Sequence, residues 1–234
     1  MHVFYTPDIQ GKSYRLNPEE SKHCLRVLRL TKGEEILLVD GCGGFYRGII
    51  AGTDPKGCEV EIKMQISGYG KRSFHLHLAV APTKNIDRTE WMLEKCTEMG
   101  TEEFTLLRTT HSERKEVKME RLEKVIVAAM KQSQKAYLPR LHAVTDFRRF
   151  VSAERPGQKF IAHCQAGEKR GLDEVYKPGE DALILIGPEG DFSMPEVEWA
   201  VANGFIPISL GVSRLRTETA GIAACHSINF MNKV

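Results

Sequence analysis

The chain has 234 residues, 41% hydrophobic and 27% charged, with 33 Lys/Arg against 31 Asp/Glu. That length suits one large domain or two small ones, and that apolar share is enough for a true core. No apolar run approaches the roughly 20 residues of a membrane helix, and MHVFYTPDIQ lacks the basic-then-apolar pattern of a secretory leader, so a cytoplasmic protein is expected.

The first 72 residues read as a small β-rich unit. Asn17-Pro18 opens a short helix over Glu19–Leu28, with proline at the first helical position. Ile36–Val39 and Phe45–Ile50 flank Asp40-Gly-Cys-Gly-Gly44, a hairpin signal with glycines where positive φ is needed. Thr53–Gly57 is the next turn, and Cys58–Ile66 alternates apolar and polar as a half-buried strand does. Several short strands around one helix predict a compact barrel. The glycine-rich Ser67–Arg72 is the expected domain boundary, giving domains 1–72 and 73–234.

From Phe74 strands alternate with helices, the signature of a mostly parallel α/β sheet. Phe74–Ala81 predicts a strand with Phe74, Leu76, Leu78 and Val80 on one face. A helix follows with Asp87 as N-cap, Glu90 at N3, an Ile86/Trp91 staple and Gly100 at its end. Phe104–Arg108 is a strand. Met119, Leu122, Ile126, Ala129 and Met130 form an apolar stripe on a helix whose other face is cationic. Strands follow at Lys159–His163, Ala182–Ile186 and Ile206–Leu210. Between the last two, Ser193 and Glu196 form a capping box, Phe192 and Val197 a staple, and Asn203-Gly204 a stop. A final helix runs from about Thr219 to Met231.

The six cysteines (24, 42, 58, 96, 164 and 225) include no C-x-x-C pair, so they read as ordinary buried thiols, and no metal is expected. Charge is uneven: Arg108–Arg149 holds eleven Lys/Arg against five Asp/Glu, and Leu183 onward three against five. A local basic face suggests a polyanionic partner, unless it is a solvated helix laced with ion pairs. Two segments could carry chemistry. In Leu183–Phe192 a buried apolar strand stops at Gly-Pro-Glu-Gly before a capped helix; this is neither a P-loop nor G-x-G-x-x-G, and by itself it can be only a turn. In Ile206–Gly221 another strand ends in glycine, and a loop with Arg214, Arg216 and Glu218 enters an Ala/Gly-rich helix. Glycines at strand ends let backbone approach a ligand, and a helix start offers unpaired N–H groups.

Together, G-P-E-G and then S-L-G-x-x-x-L-R-x-E-T-A resemble the C-terminal signature of the SPOUT methyltransferases, and within them the RsmE family, which methylates N3 of a uridine in small-subunit ribosomal RNA. His23-Cys-Leu-Arg-Val-Leu-Arg29 resembles that family's H-x-x-x-V-L-R. Lys84, Asp87-Arg88, Glu94-Lys95, Glu98-Met-Gly100, Ala128–Ser133 and Pro139 carry the likeness through the middle of the chain. Lys135 stands where the family usually has arginine, Asp191 where a second glycine is common, and His2-Val-Phe lacks an arginine often found there.

The resemblance implies a PUA-like RNA-binding β-barrel followed by a SPOUT α/β domain with a deep trefoil knot. It implies S-adenosyl-L-methionine as cofactor, held by Ile186, Gly187, Pro188, Glu189, Gly190, Leu210, Gly211, Leu215, Arg216, Thr219 and Ala220. Arg216, or Arg214, would stabilise the uridine anion, with Glu218 a candidate base by position. Arg26, Arg29, Lys84, Arg88, Arg121, Lys124, Lys131, Lys135 and Arg140 would meet RNA, with 16S rRNA in the small ribosomal subunit as partner. A homodimer is expected through the final helix, whose Ala223, Ala224, Ile228, Phe230 and Met231 exceed what one sheet face needs. A non-catalytic RNA-binding protein, a nucleotide-dependent metabolic enzyme and a ribose 2′-O-methyltransferase are the competing readings.

Overall fold

The structure, a computed structural model, describes residues 2–114 and 116–233. In chain order the elements are β1 (Val3–Tyr5), β2 (Ser13–Arg15), α1 (Pro18–Lys22) continued by a π-helical turn (His23–Val27), β3 (Glu35–Val39), β4 (Phe45–Gly52) and β5 (Glu59–Ile66). Then come β6 (Leu76–Val80), α2 (Ile86–Met99), β7 (Glu103–Arg108), α3 (Met119–Gln132), β8 (Arg140–Asp146) and α4 (Phe147–Val151). The chain ends with β9 (Gln158–Ala162), β10 (Arg170–Gly171), α5 (Leu172–Val175), β11 (Ala182–Ile186), α6 (Met194–Ala202), β12 (Ile206–Ser209) and α7 (Thr217–Met231). They form two compact units: Met1–Lys71 with Met130–Leu138, and Arg72–Ala129 with Pro139–Val234.

The first unit is a five-stranded mixed sheet ordered β1-β3-β4-β5-β2. Its edge strands β1 and β2 do not pair with each other, so the expected barrel is a half-barrel. The hairpin between β3 and β4 turns on Gly41 and Gly43, at φ 79° and 100°. There Asp40 Oδ1 accepts the N–H groups of Cys42 and Gly44 at 2.7 and 2.8 Å. Asn17 caps α1 by accepting the Glu20 N–H at 2.8 Å, with Pro18 at the first helical position as predicted. Phe4, Leu16, Cys24, Ile36, Leu38, Ile50 and Val60 build the core between this helix and the sheet. A second apolar cluster places Met130 and Ala136 against Val3, Leu37, Val39 and Phe45. The Gly43 N–H donates to Ala136 O, and the Leu138 N–H to Gly41 O, both at 2.9 Å. The second domain therefore does not run unbroken from residue 73: residues 130–138 leave it, because their apolar side chains and backbone donors are satisfied by the first unit. Cys42, read as buried, is exposed on the hairpin turn, and Cys164 is exposed as well.

The second unit is a seven-stranded sheet ordered β10-β12-β9-β11-β6-β7-β8, every pairing parallel. Helices cover both faces of such a sheet, so its central strands are apolar throughout rather than alternating. All of Leu76–Val80 and Ala182–Ile186 are buried, which replaces the single apolar face read for β6. The cap of α2 is Asn85, whose Oδ1 accepts the Asp87 N–H at 3.2 Å, so the helix begins two residues before the expected Asp87 cap. Trp91 is 47% exposed, and Ile86, expected before the cap, is the first residue of the helix, so the pair does not hold the staple positions. At α6 the expectation holds: the Glu196 carboxylate accepts the Ser193 N–H at 2.9 Å and its hydroxyl at 2.8 Å, while Phe192 and Val197 share one buried cluster. Helix α7 packs on α2 so closely that a Cβ on Gly221 would stand 2.4 Å from Met92 Sδ. Arg72 ties the unit's start to its end, bonding the Glu102 carboxylate (Nε–Oε1 2.6 Å), Gly100 O (3.0 Å) and Asn229 Oδ1. Among the described residues no helix is long and apolar enough to cross a membrane, and no cluster of His, Cys, Asp and Glu is fit to hold a metal ion.

One buried histidine makes this unit acid-sensitive. His77, on β6, bonds Thr105 Oγ1 at 2.8 Å and faces Glu103, with His75 and His142 on the other sides of that carboxylate. Burial is the main cause that pushes its pKa from 6.5 down to about 4, against the pull of Glu103. The unfolded chain takes this proton near pH 6.5 while the folded one resists it until about 4, so stability falls as pH drops through that interval. A melting temperature that declines by several degrees over this range is expected. In His77→Gln, which can keep the Thr105 bond without titrating, the decline should be shallower; an unchanged slope would refute this assignment.

Candidate functional site

In open α/β sheets, ligands bind beyond the carboxyl ends of the strands. Here three neighbouring strands, β12, β9 and β11, release their chains side by side. The segments that follow them line a cavity of about 600 Å³. From β9 come Ala162, His163, Cys164 and Lys169; from β11 come Ile186, Gly187, Pro188, Glu189 and Asp191. From β12 and the start of α7 come Ile208 through Thr217 and Ala220. Strand ends give the cavity an apolar floor, and loops give it a polar rim.

Local chemistry fixes each loop. After β11 the Asp191 N–H returns to Pro188 O at 2.9 Å, closing a tight turn. Asp191 itself sits at φ 62°, a left-handed conformation that aspartate tolerates better than most residues. Its carboxylate accepts the Cys164 N–H at 2.8 Å, tying the loop after β11 to the loop after β9. Glu189 accepts the Lys84 N–H at 2.9 Å from the segment after β6. After β12, Ser209 Oγ accepts the Gly211 N–H at 3.2 Å and lies 3.0 Å from Gly211 O, to which it donates, while Gly211 stands at φ 122°. Thr217 Oγ1 donates to Gly187 O at 3.0 Å in a buried bond that locks the start of α7 to the end of β11.

Of the expected cofactor residues, Ile186, Gly187, Pro188, Glu189, Leu210, Gly211, Leu215, Arg216 and Ala220 line this one cavity. Two do not. A Cβ on Gly190 would meet His111 Cβ at 2.9 Å, so that glycine serves the packing of the loop after β7. Thr219 is exposed on the first turn of α7, outside the lining. Sequence reasoning missed the wall from β9, His163 to Lys169. Its only signal was that a parallel strand beside β11 must end at the same level.

The cavity's charges are mixed. Arg214 and Arg216 are exposed at its rim and form no ion pair among the described residues, whereas Glu189 and Asp191 are spent on backbone N–H groups. Glu218, the expected base, is not in the wall. It is 6% exposed, with Oε1 at 3.8 Å from Arg88 Nε on α2 and Oε2 without a partner. His163 is held below the usual histidine range, chiefly by burial and then by Lys169, with Asp191 opposing.

The expected RNA cations divide. Arg121 bonds Asp87 at 2.9 Å and Glu90 at 2.8 Å, Lys84 bonds Glu113 at 2.7 Å, and Lys131 bonds Glu20 at 2.5 Å. Lys124 on α3 makes no ion pair among the described residues, Arg26 and Arg29 are exposed in the first unit, and Lys135 is half-buried. Arg140 is exposed at the start of β8. Within the basic stretch, Arg121 and Lys131 are thus answered by carboxylates, as on a solvated helix. Of the apolar residues expected to spare on α7, Ala224 and Ile228 are buried within the chain, while Phe230 is 72% exposed.

A seven-stranded parallel sheet with a looped cavity beyond three strands defines an α/β enzyme-type domain, and its sequence says which. The RNA methyltransferase domain family matches residues 70–229, and an RNA methyltransferase PUA domain matches residues 16–63. The chain belongs to the RNA methyltransferase family. It is 41% identical to a probable rRNA-methyltransferase from Porphyromonas gingivalis, with a TM-score of 0.93 over 100% of this chain and 99% of that one. A Legionella pneumophila protein solved with bound SAM is 29% identical, with a TM-score of 0.89 over 97% and 96% of the two chains. Ribosomal RNA small subunit methyltransferase E of Synechocystis is 29% identical over 87% of this chain and 68% of its own length.

Proposed function

We propose that the protein transfers a methyl group from S-adenosyl-L-methionine to N3 of a uridine in 16S rRNA of the small ribosomal subunit. The observation that carries this reading is the cavity at the ends of β9, β11 and β12, in a chain of the RNA methyltransferase family. The residues present suit the cofactor. Glycine backbone at Gly211 allows close approach, Ala162, Ile186 and Ile208 supply apolar lining, and about 600 Å³ is the volume of an ordinary small-molecule site. When bound there, the cofactor supplies an electrophilic methyl group.

The chain's own residues then have distinct tasks. Loops 187–191 and 209–216 orient the donor, and orientation alone removes a large part of a two-reactant barrier. As N3 of uracil loses its proton, negative charge spreads over O2 and O4. Arg216, at the rim and paired with no carboxylate among the described residues, answers that charge, with Arg214 beside it. Glu218 acts as a positioning residue, holding Arg88 against the start of α7, rather than as the base. The second unit carries the deep trefoil knot of a SPOUT domain, and exposed Phe230 on α7 supports pairing of two copies. The half-barrel unit engages RNA, and the protein works in the cytoplasm.

Purified small subunits incubated with the protein and labelled cofactor, followed by nucleoside mass mapping, should yield 3-methyluridine. A ribose-methylated product would favour the 2′-O reading, and no product on subunits or free rRNA would defeat both. The cation inventory adds a finer expectation. Lys124→Ala should lower the log–log salt slope of RNA binding by about 0.7–0.9. Lys131→Ala, whose ammonium is held by Glu20, should change it less; a wild-type slope in both variants would remove α3 from the RNA surface.

A further inference from the structure

His163 follows the last residue of β9 and lies in the cavity wall, yet among the described residues neither ring nitrogen has a hydrogen-bond partner, and both are shielded from solvent. A buried polar atom left unsatisfied costs about 1–3 kcal/mol, and here one ring carries two. The backbone beyond it is anchored, since the Cys164 N–H is held by Asp191 and the Gln165 side chain donates to Phe192 O at 2.8 Å. The imidazole is thus fixed at its base and unpaired at its tip. Lys169 and Asp191 are the charged groups that face it, one of each sign.

We propose that His163 is a cofactor-contacting residue that recognises the nucleoside half of the methyl donor. This rests on the S-adenosylmethionine reading given above. A neutral imidazole offers one N–H donor and one nitrogen acceptor. Adenine and ribose present neutral donors and acceptors in the same combination, whereas the amino-acid tail is a zwitterion better met by Lys169 and the arginines. A modest turn of the ring toward the cavity it already borders converts two orphan atoms into two satisfied ones. Being uncharged, the ring also adds no repulsion to the donor's sulfonium.

Calorimetry with S-adenosylmethionine and with 5′-methylthioadenosine, which lacks both the tail and the sulfonium, tests this on the full chain. His163→Leu should weaken both ligands about tenfold or more, and His163→Gln, which keeps a donor and an acceptor, should stay within about threefold of the wild type. An unchanged leucine variant, a loss confined to S-adenosylmethionine, or equal losses in both variants would overturn the proposal. If leucine disturbs the fold, seen as a lowered melting temperature without ligand, the wild-type protein decides. The His163 ring-proton resonance, identified by its absence in His163→Gln, should move on adding 5′-methylthioadenosine, and a stationary signal overturns the contact. Wild-type protein that binds neither ligand would instead refute the cofactor reading itself.

Discussion

Arg216→Ala is expected to reduce single-turnover methyl transfer about 10²-fold or more while leaving the affinity for S-adenosylmethionine within a few-fold. The magnitude is that of removing one preorganised donor from a site where charge develops only in the transition state. Arg216 is suited to this because its backbone is fixed while its guanidinium is unclaimed. It is the N-cap of α7, with φ −73° and ψ 158°, and the next residue is bolted to Gly187 O through Thr217 Oγ1. Arg216→Lys should recover only part of the loss, because an ammonium cannot reproduce the planar fork of a guanidinium. If the alanine variant transfers methyl groups at the wild-type rate, the charge is stabilised elsewhere. A loss of cofactor affinity with unchanged single-turnover rate would make Arg216 a binding residue.

Gly211→Val should act on binding instead, lowering S-adenosylmethionine affinity about 10²-fold with little change in melting temperature. At φ 122° this position lies where side chains are strained, by about 1–3 kcal/mol, and β-branching makes it worse. A Cβ there meets no atom within 4 Å, so nothing in the fold resists the side chain itself. The strain is relieved by moving an exposed loop that forms the cavity wall, and the ligand bears the consequence. Gly190→Ala is a different case: its methyl group presses on His111, and any effect on the cofactor travels through the loop after β7. Calorimetry of the two variants separates these routes, and a Gly211→Val protein that binds normally would show that the loop after β12 does not touch the ligand.

Much of this was legible where local chemistry decides. Glycines 41 and 43 announced a hairpin, and Ser193 with Glu196 announced a helix start, since turn and cap geometry involve only neighbours in sequence. The Gly-Pro-Glu-Gly and Leu-Gly loops were legible as breaks at strand ends, where the chain leaves β11 and β12 for the cavity wall. What stayed hidden depends on partners far along the chain. Strands β1, β2 and β10 have two or three residues each, too few for any period to register. Glu218 is a candidate base in sequence by its position in the loop that enters α7; that its carboxylate faces Arg88 on α2 could not be read there. Asn85 took the cap from Asp87 although both residue types are equally suited to it. His163 could not be placed in the site without knowing that β9 lies beside β11.

The return of Met130–Leu138 to the half-barrel sets the order in which this chain can acquire its structure on the ribosome. Domains usually fold one after another as they emerge, the N-terminal one first. Here residues 2–71 emerge first but cannot finish alone, because Met130 and Ala136 complete one of their two apolar clusters and Ala136 supplies an acceptor for their hairpin. The half-barrel must wait with part of its sheet face bare until more than half of the polypeptide has been synthesised. By then β6, α2 and β7 are already present, while β9 and β11 at the centre of the second sheet are still to be made. No single cut through the chain would release the first unit whole. Fusion or exchange of the front unit between relatives would have to carry the 130–138 segment with it.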